Sequence, residues 1–372
     1  MGHEQERKDQ TPDRAEIWRE PARGGYPDIA LMGLDGKERL LQWLRRGSPA
    51  PPLTRLTGTR FTEAGSGTAA AEMPATGWLL NSAGVIGGGT LAILADVAFG
   101  CSIQTELAPA VPYTTAELSL TFLRPAHPPG TLSAGGQAIH VGRSVALSEV
   151  FVLEKGSERL IAHGTSRCAV LPPIEPAPEV PDELPVYEPD RDEGSDPYRR
   201  PPPLDTVLDQ AIWDELSGAE IVARQLRGEL PPPPIGYLTG LDLTDAGEGT
   251  ATMRLPCTKW LTSPARTVQG GVIAMLADTS MAIAMQTTTE PGVAVAGLDL
   301  KVNYLRPVHP DGRDLVARGQ VIRAGRTISI TQATVENADG KPVALATGSS
   351  MYLPGCPASL GEVELGVDQE DQ

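Results

Sequence analysis

The amino-acid sequence predicts an α+β protein built from two tandem copies of one unit, each an antiparallel β-sheet wrapped around a long central helix. Three observations lead to this fold class. The 372-residue chain matches itself at an offset of 182 residues. Each copy contains one long run that is apolar nearly all round, and that run is followed by segments in which apolar and polar residues alternate.

The internal duplication organises the chain, because many matches fall at one offset. Small insertions raise that offset to 183 and then 184 towards the end of each copy. Matching pairs are Trp78 with Trp260, Gly88-Gly89 with Gly270-Gly271, Asp96 with Asp278, Leu123-Arg124-Pro125 with Leu305-Arg306-Pro307, and Gly142-Arg143 with Gly325-Arg326. The predicted domains are an N-terminal extension (1–34), repeat 1 (35–171), an acidic Pro-rich linker (172–203), repeat 2 (204–355) and an acidic C-terminal tail (356–372).

Within each repeat, the order predicted is helix, strands, one long helix and a run of strands. The segments 88–104 and 270–286 are apolar on all sides, which is typical of a helix buried on most faces. The segments 114–125 and 295–307 alternate with period two, as half-buried strands do. Residues 172–203 are too rich in proline and acid to bury a core, so an extended linker is expected, with a helix containing Trp213 leading into repeat 2.

The formal charge of −16 is concentrated outside the repeats, since residues 172–203 and 356–372 together account for −11. With no cluster of Lys and Arg, the sequence predicts neither a nucleic-acid partner nor a membrane partner. The four cysteines have no metal-ligand or disulfide-framework spacing, so no metal is expected. The polar N-terminus lacks the apolar stretch of a signal peptide, and a cytoplasmic protein is predicted.

Each apolar helix contains one carboxylate, Asp96 or Asp278, and an unpaired buried carboxylate is costly. Such a residue is either satisfied by nearby backbone or Arg groups, or it acts as a base or nucleophile. Eight residues earlier stand Gly88 and Gly270, where the free N–H groups of a helix start can stabilise an oxygen that becomes negative during reaction. These glycines could also serve only a tight turn.

Gly-Gly followed by Leu-Ala-Asp, then by a strand ending in Leu-Arg-Pro and later by Gly-Arg, resembles the hotdog-fold acyl-CoA thioesterases of the phenylacetate-degradation (PaaI-like) type. The resemblance covers both repeats and implies a tandem, or double, hotdog. It implies that Asp96 and Asp278 activate water or attack the thioester, and that the N–H groups of Gly88 and Gly270 polarise its carbonyl. Coenzyme A enters as part of the substrate, and no cofactor is expected.

Two positions depart from the family pattern. The His that usually precedes Gly-Gly is replaced by Gly87 and by Gln269, and the upstream Asn is present as Asn81 but becomes Ser263 in repeat 2. A helper hydroxyl on the following strand is retained as Thr115, with Gly297 at the matching position. Because hotdog sites form between two units, the resemblance implies unequal composite sites: Asn81 and Gly88 facing Asp278, and Gln269 and Gly270 facing Asp96.

The candidates for contacts with coenzyme A are the second glycine of each pair and four arginines. The arginines are candidates because a guanidinium pairs with phosphate in a bidentate fashion. These residues are Gly89, Gly271, Arg124, Arg306, Arg143 and Arg326. Each arginine could equally be an ordinary charge at a strand end. The leading function is therefore acyl-CoA hydrolysis. A non-catalytic acyl-CoA-binding module and, last, an enoyl-CoA hydratase remain alternatives; assembly of these chains into a homo-oligomer stays open.

Overall fold

The computed structural model describes residues 14–46, 48–183, 186–187 and 195–361. Twelve antiparallel strands, six from each repeat, form one continuous sheet. Two long helices lie against this sheet and contact each other. The predicted α+β double hotdog is thereby confirmed.

The first repeat contains the elements in the order that the sequence predicts. The helix α2 (Pro52–Thr57) has Pro52 in its first turn, where the missing N–H is harmless, and Gly58 caps its end with a left-handed φ of 77°. The elements are α1 (Gly36–Arg46), α2 (Pro52–Thr57), β1 (Arg60–Ala64), β2 (Thr68–Ala75), α3 (Gly88–Gln104), β3 (Tyr113–Phe122), β4 (Gly130–Val141), β5 (Val145–Glu154) and β6 (Arg159–Val170).

The second repeat follows the same order, preceded by one extra short helix. That helix contains Trp213, as the sequence predicts. The elements are α4 (Gln210–Glu215), α5 (Gly218–Leu226), α6 (Pro234–Thr239), β7 (Asp242–Gly247), β8 (Thr250–Pro256), α7 (Gly270–Gln286), β9 (Val293–Tyr304), β10 (Asp314–Ala324), β11 (Ile328–Glu336) and β12 (Pro342–Pro354).

The strand order in the sheet is β1-β2-β4-β5-β6-β3-β9-β12-β11-β10-β8-β7. The two half-sheets therefore join through β3 and β9, which pair antiparallel with Leu120 opposite Leu300. Both residues are fully buried, so this joint belongs to the core shared by the two repeats. Close approach of helix and sheet depends on glycine at matching places. A Cβ on Gly136 would lie 2.3 Å from the carbonyl oxygen of Ala98, and one on Gly319 would lie 2.3 Å from that of Ser280.

The end of the predicted linker differs from an extended connector. The indole Nε1 of Trp78 donates to the carbonyl of Arg200 at 2.8 Å, so this part of 172–203 packs against repeat 1. The matching Trp260 donates to the carbonyl of Glu20 at 2.9 Å, which ties the N-terminal extension to repeat 2. Both contacts use main-chain acceptors, which leave no hydrophobic pattern in the sequence.

The limits of the predicted domains remain predictions. Residues 1–13 of the N-terminal extension, 184–185 and 188–194 of the linker, and 362–372 of the tail lie outside the described residues. Among the helices of the described chain, none is long and apolar enough to cross a membrane.

Candidate active site

Each helix carboxylate lies against the start of the helix from the other repeat. The backbone N–H of Gly89 donates to Oδ2 of Asp278 at 2.7 Å, and the N–H of Gly271 donates to Oδ2 of Asp96 at 3.2 Å. The start of α3 therefore meets the middle of α7 and the start of α7 meets the middle of α3, so the two helices pack antiparallel. Each site is composite, with one part from each repeat.

The second glycine of each pair donates its N–H to a carboxylate, and at Asp96 the N–H of Gly270 donates as well. The sequence places Gly89 and Gly271 on coenzyme A, whereas their N–H groups contact the carboxylates. Gly88 and Gly270 are the first residues of their helices, where an N–H has no acceptor within the helix. A Cβ on Gly270 would lie 3.1 Å from Oδ2 of Asp96, so a larger residue there would press against that carboxylate.

Burial dominates the electrostatics of both carboxylates. It raises the pKa of Asp278 from 3.8 to about 6, against the opposing effect of the Gly89 hydrogen bond, and Asp299 adds a small further rise. Burial also raises the pKa of Asp96, opposed by hydrogen bonds from Gly271, Thr115 and Gly270. A carboxylate whose pKa lies near neutrality is suited to accept a proton during turnover.

A cavity of about 520 Å³ opens beside Asp278, within the usual range for a small-molecule site. Asn81, Gly87 and Thr90 of repeat 1 line it together with Asp278 and Ile283 of repeat 2. The sequence predicts Asn81 and Asp278 in one composite site, and the structure brings them to one cavity.

The Asn81 side chain is already occupied by its own loop. Its Oδ1 accepts hydrogen bonds from the N–H groups of Ala83 at 3.0 Å and of Val85 at 3.1 Å. The loop carries the chain into α3, so these bonds hold the backbone just ahead of the Gly-Gly pair. The amide nitrogen of Asn81 is the part of the side chain that remains for a substrate.

The space beside Asp96 is occupied differently. A Cβ on Gly100, one turn beyond Asp96, would lie 2.8 Å from the Tyr113 hydroxyl, so the tyrosine side chain reaches this helix face. Burial raises the pKa of Tyr113 well above its ordinary value, which indicates a desolvated hydroxyl. The buried Gln269 donates from Nε2 to the carbonyl of Ile93 at 3.0 Å.

The predicted Thr115 contact lies at this second site. The Thr115 hydroxyl donates to Oδ1 of Asp96 at 3.1 Å. At the Asp278 site the matching position is Gly297, which has no hydroxyl. Thr90, from the other repeat, lines the cavity there and does carry a hydroxyl. The two sites therefore differ in their hydroxyl groups as well as in their open volume.

The four arginines assigned to coenzyme A are exposed, and none of them lines the cavity. Arg124 follows β3 and donates to the carbonyl of Leu160 at 2.8 Å. Arg306 follows β9, while Arg143 and Arg326 occupy the turns between β4 and β5 and between β10 and β11. Their role in phosphate binding stays a prediction.

The cavity has lining residues that sequence reasoning did not assign to the site: Thr90, Trp213 and Gln286. Tyr113, which occupies the other site, was also missed. Its counterpart Val295 lines the cavity beside Asp278. The offset of 182 residues pairs Tyr113 with Val295 in the sequence. The difference in side-chain size between these two residues could have predicted that the two sites differ in open volume.

A model of the thioesterase superfamily matches the chain twice, at residues 83–161 and 266–344. A candidate esterase of Halobacterium salinarum is 34% identical over 122 residues, which span 30% of this chain and 79% of that protein. The acyl-coenzyme A thioesterase PaaI of Escherichia coli is 28% identical over 116 residues, covering 31% of this chain and 80% of that enzyme.

Among solved structures, a tesB protein of Mycobacterium avium subspecies paratuberculosis is 15% identical with a TM-score of 0.50. The match covers 82% of this chain and 98% of that one, and it shows the common fold. The fold and the family matches together define a double-hotdog thioester hydrolase. The chain belongs to the thioesterase superfamily.

Proposed function

We propose that the protein hydrolyses acyl-CoA thioesters and that the composite site of Asp278 and the start of α3 performs the reaction. The observation that carries this proposal is the contact between the desolvated carboxylate of Asp278 and the start of α3, beside a cavity that both repeats line. The named acyl-CoA thioesterase among the relatives supports coenzyme A as the thiol.

The chemistry follows from the groups present. Asp278 takes a proton from a water molecule, and the water oxygen forms a bond to the thioester carbonyl carbon. The negative oxygen of the tetrahedral intermediate accepts a hydrogen bond from the Gly88 N–H at the positive end of the helix dipole. The carbon–sulfur bond then breaks, and the leaving thiolate receives the proton that Asp278 holds. The products are the free acid and coenzyme A.

The unequal surroundings favour Asp278 over Asp96 as the working carboxylate. An acyl group needs space beside the carboxylate, and the cavity supplies it at Asp278. At Asp96, Tyr113 and Gln269 occupy the neighbouring helix faces. This assignment makes the Asp96 site a structural counterpart that retains the carboxylate and its N–H partner.

The test is thiol release from short, medium, long and aromatic acyl-CoAs by the wild type and by Asp278→Asn, Asp96→Asn and the double variant. We expect Asp278→Asn to lower kcat by roughly 10²- to 10⁴-fold, the usual contribution of a positioned general base. Asp96→Asn is the matched control and should retain most activity. Wild-type rates in the double variant would refute the role of both carboxylates. Binding of acyl-CoAs without turnover by the wild type would identify a binding module instead.

A further inference from the structure

Two short segments outside the repeats match each other at an offset of 180 residues. Residues 15–21 read Ala-Glu-Ile-Trp-Arg-Glu-Pro, and residues 195–201 read Ser-Asp-Pro-Tyr-Arg-Arg-Pro. Each segment forms one 3₁₀ turn, Ile17–Arg19 in the first and Pro197–Arg199 in the second. We call 15–21 the first arm and 195–201 the second arm, because each precedes one repeat in the chain.

Each arm packs on the repeat that it does not precede. The Trp18 ring of the first arm lies against Gly240 at the end of α6, where a Cβ would be 2.9 Å from the Cδ2 atom of the ring. The Tyr198 ring of the second arm lies against Gly58 at the end of α2, where a Cβ would also be 2.9 Å from Cδ2. The two arms are therefore exchanged between the repeats.

The ends of the two arms are fixed in matching ways. The carbonyls of Glu20 and Arg200 accept hydrogen bonds from the indoles of Trp260 and Trp78. The side chains of Glu20 and Arg200 also form an ion pair with each other, with 2.7 Å between Oε1 and Nη1. Both arms therefore have a defined position on the body of the protein.

The acidic residue of each arm meets a different partner. In the second arm, Asp196 forms an ion pair with Arg55 of α2, with 3.3 Å between Oδ1 and Nη1, and both side chains are buried. The matching residues on the other side are Glu16 of the first arm and Tyr237 of α6, and both of them line the cavity beside Asp278. The first arm therefore supplies part of the cavity wall, whereas the second arm fills the equivalent place with a buried ion pair.

The docking of the first arm positions the Glu16 side chain. The neighbouring Ile17 is fully buried in the core. Nε of Arg19 lies 2.6 Å from Oε2 of Glu16, and the Arg19 guanidinium stacks over the Trp18 ring at 4.4 Å. The contact of Trp18 with Gly240 thus holds Arg19, which in turn holds the carboxylate at the wall. Because Arg19 neutralises Glu16, this wall suits an uncharged acyl chain.

We propose that the first arm is a specificity-determining wall of the acyl cavity and limits the length of the uncharged acyl chain that reacts at Asp278. The inference rests on the proposed function, since it takes this cavity as the acyl site. Glu16 contacts the chain, whereas Trp18 acts through the arm as a positioning residue. A chain shorter than the limit gains about fourfold in affinity for each methylene that it buries, and a longer chain meets the wall.

The exchange of the arms supplies a matched control. Trp18→Ala removes the aromatic contact of the first arm. Tyr198→Ala removes the equivalent contact of the second arm, none of whose described residues lines the cavity. Glu16→Ala shortens an exposed side chain at the wall and leaves the aromatic contact of the first arm in place.

The experiment measures kcat/KM for acyl-CoAs from hexanoyl to hexadecanoyl in steps of two carbons. In the wild type we expect an optimal length, beyond which kcat/KM falls. In Trp18→Ala and Glu16→Ala, the value for the ester two carbons longer, relative to the value at that optimum, should rise at least about fourfold. Tyr198→Ala should keep the wild-type ratio. Circular dichroism and thermal unfolding confirm that each variant folds, and Glu16→Ala decides alone if Trp18→Ala does not.

S-alkyl thioethers of coenzyme A, which cannot be hydrolysed, test the same wall by binding. Their dissociation constants should show the same shift in optimal length. A bound thioether of that length should also slow backbone hydrogen exchange in the first arm more than in the second. An unchanged length profile in both Trp18→Ala and Glu16→Ala overturns the inference, and an equal shift in Tyr198→Ala overturns it as well.

The binding data separate this inference from the proposed function. Turnover with an unchanged length profile refutes the inference alone. Thioether binding with the expected shift, without turnover of any ester, refutes only the hydrolase assignment. Absence of both refutes the two together.

Discussion

Replacing the desolvated carboxylate of the half-buried Asp278 by an amide should stabilise the folded protein at neutral and alkaline pH. Burial raises the pKa of this residue from 3.8 to about 6, so the charged form is less favourable in the folded chain than in the unfolded one. That rise corresponds to about 3 kcal/mol of folding free energy. The amide of the Asp278→Asn variant carries no charge, and its oxygen can still accept from the Gly89 N–H.

The sign of the pH dependence follows from proton linkage. Between pH 3.8 and about 6 the folded state binds more protons at Asp278 than the unfolded state does, so wild-type stability falls as the pH rises through this range. The stability advantage of Asp278→Asn should therefore be small near pH 4, grow up to about pH 6 and stay constant above it. Solvation of the amide offsets part of the gain, so we expect about 1–3 kcal/mol at pH 8.

Urea unfolding at pH 4.5 and pH 8, followed by circular dichroism, measures this difference. Asp245→Asn serves as the control, since Asp245 is exposed on β7. It should not change the difference between the two pH values. Equal stability of wild type and Asp278→Asn at pH 8, or an advantage that is larger at pH 4.5, would refute the assignment of a desolvated carboxylate at this site.

The same geometry predicts the pH profile of the reaction and the effects of two substitutions. The kcat/KM of the wild type should fall on the acid side with a midpoint at about pH 6, because the general base Asp278 must be ionised. A kcat/KM that stays constant from pH 5 to 8 would contradict the role of Asp278 as the base. Val295→Tyr should fill the cavity and reduce kcat/KM for octanoyl-CoA at least about tenfold. Tyr113→Val, at the matching position, should leave kcat/KM unchanged. Equal effects of the two substitutions would refute the assignment of different roles to the two sites. Gly89→Ala would place a Cβ 2.7 Å from that of Asp278 and should destabilise the protein by about 1–3 kcal/mol with loss of activity. Gly135→Ala, which meets no atom within 4 Å, is the control, and an undisturbed Gly89→Ala enzyme would refute the close approach.

The duplication made the repeated fold and the presence of two matching sites predictable from one sequence. Matching residues at a fixed offset act as an alignment of two sequences, so the spacing from Gly88 to Asp96 is seen twice in one chain. A helix that is apolar on all sides requires burial on all sides, and the alternating strands supply the sheet that covers it. The composite character of the sites came from the family resemblance, and the hydrogen bonds across the repeats agree with it.

The register between the two helices was not predictable in the same way. Whether Gly88 or Gly89 reaches Asp278 depends on a displacement of one residue along α3, and no periodicity in the sequence specifies it. The packing of Trp78 on the Arg200 carbonyl was hidden for a related reason. Its acceptor belongs to the backbone, which every residue possesses, so composition carries no trace of the contact.

Fusion of two units into one chain explains why the sites can differ at all. In a symmetric dimer of identical units, a tyrosine at the position of Tyr113 would enter both sites at once, and a valine at that position would open both. In the fused chain Tyr113 enters only the site of Asp96, and Val295 leaves the cavity open at Asp278. The Asp96 site can then be filled and contribute to the core, while the Asp278 site bears the cost of a buried charge and an open cavity. The open cavity and the desolvated carboxylate lower stability at the Asp278 site, and the same two features allow that site to bind a ligand and react with it.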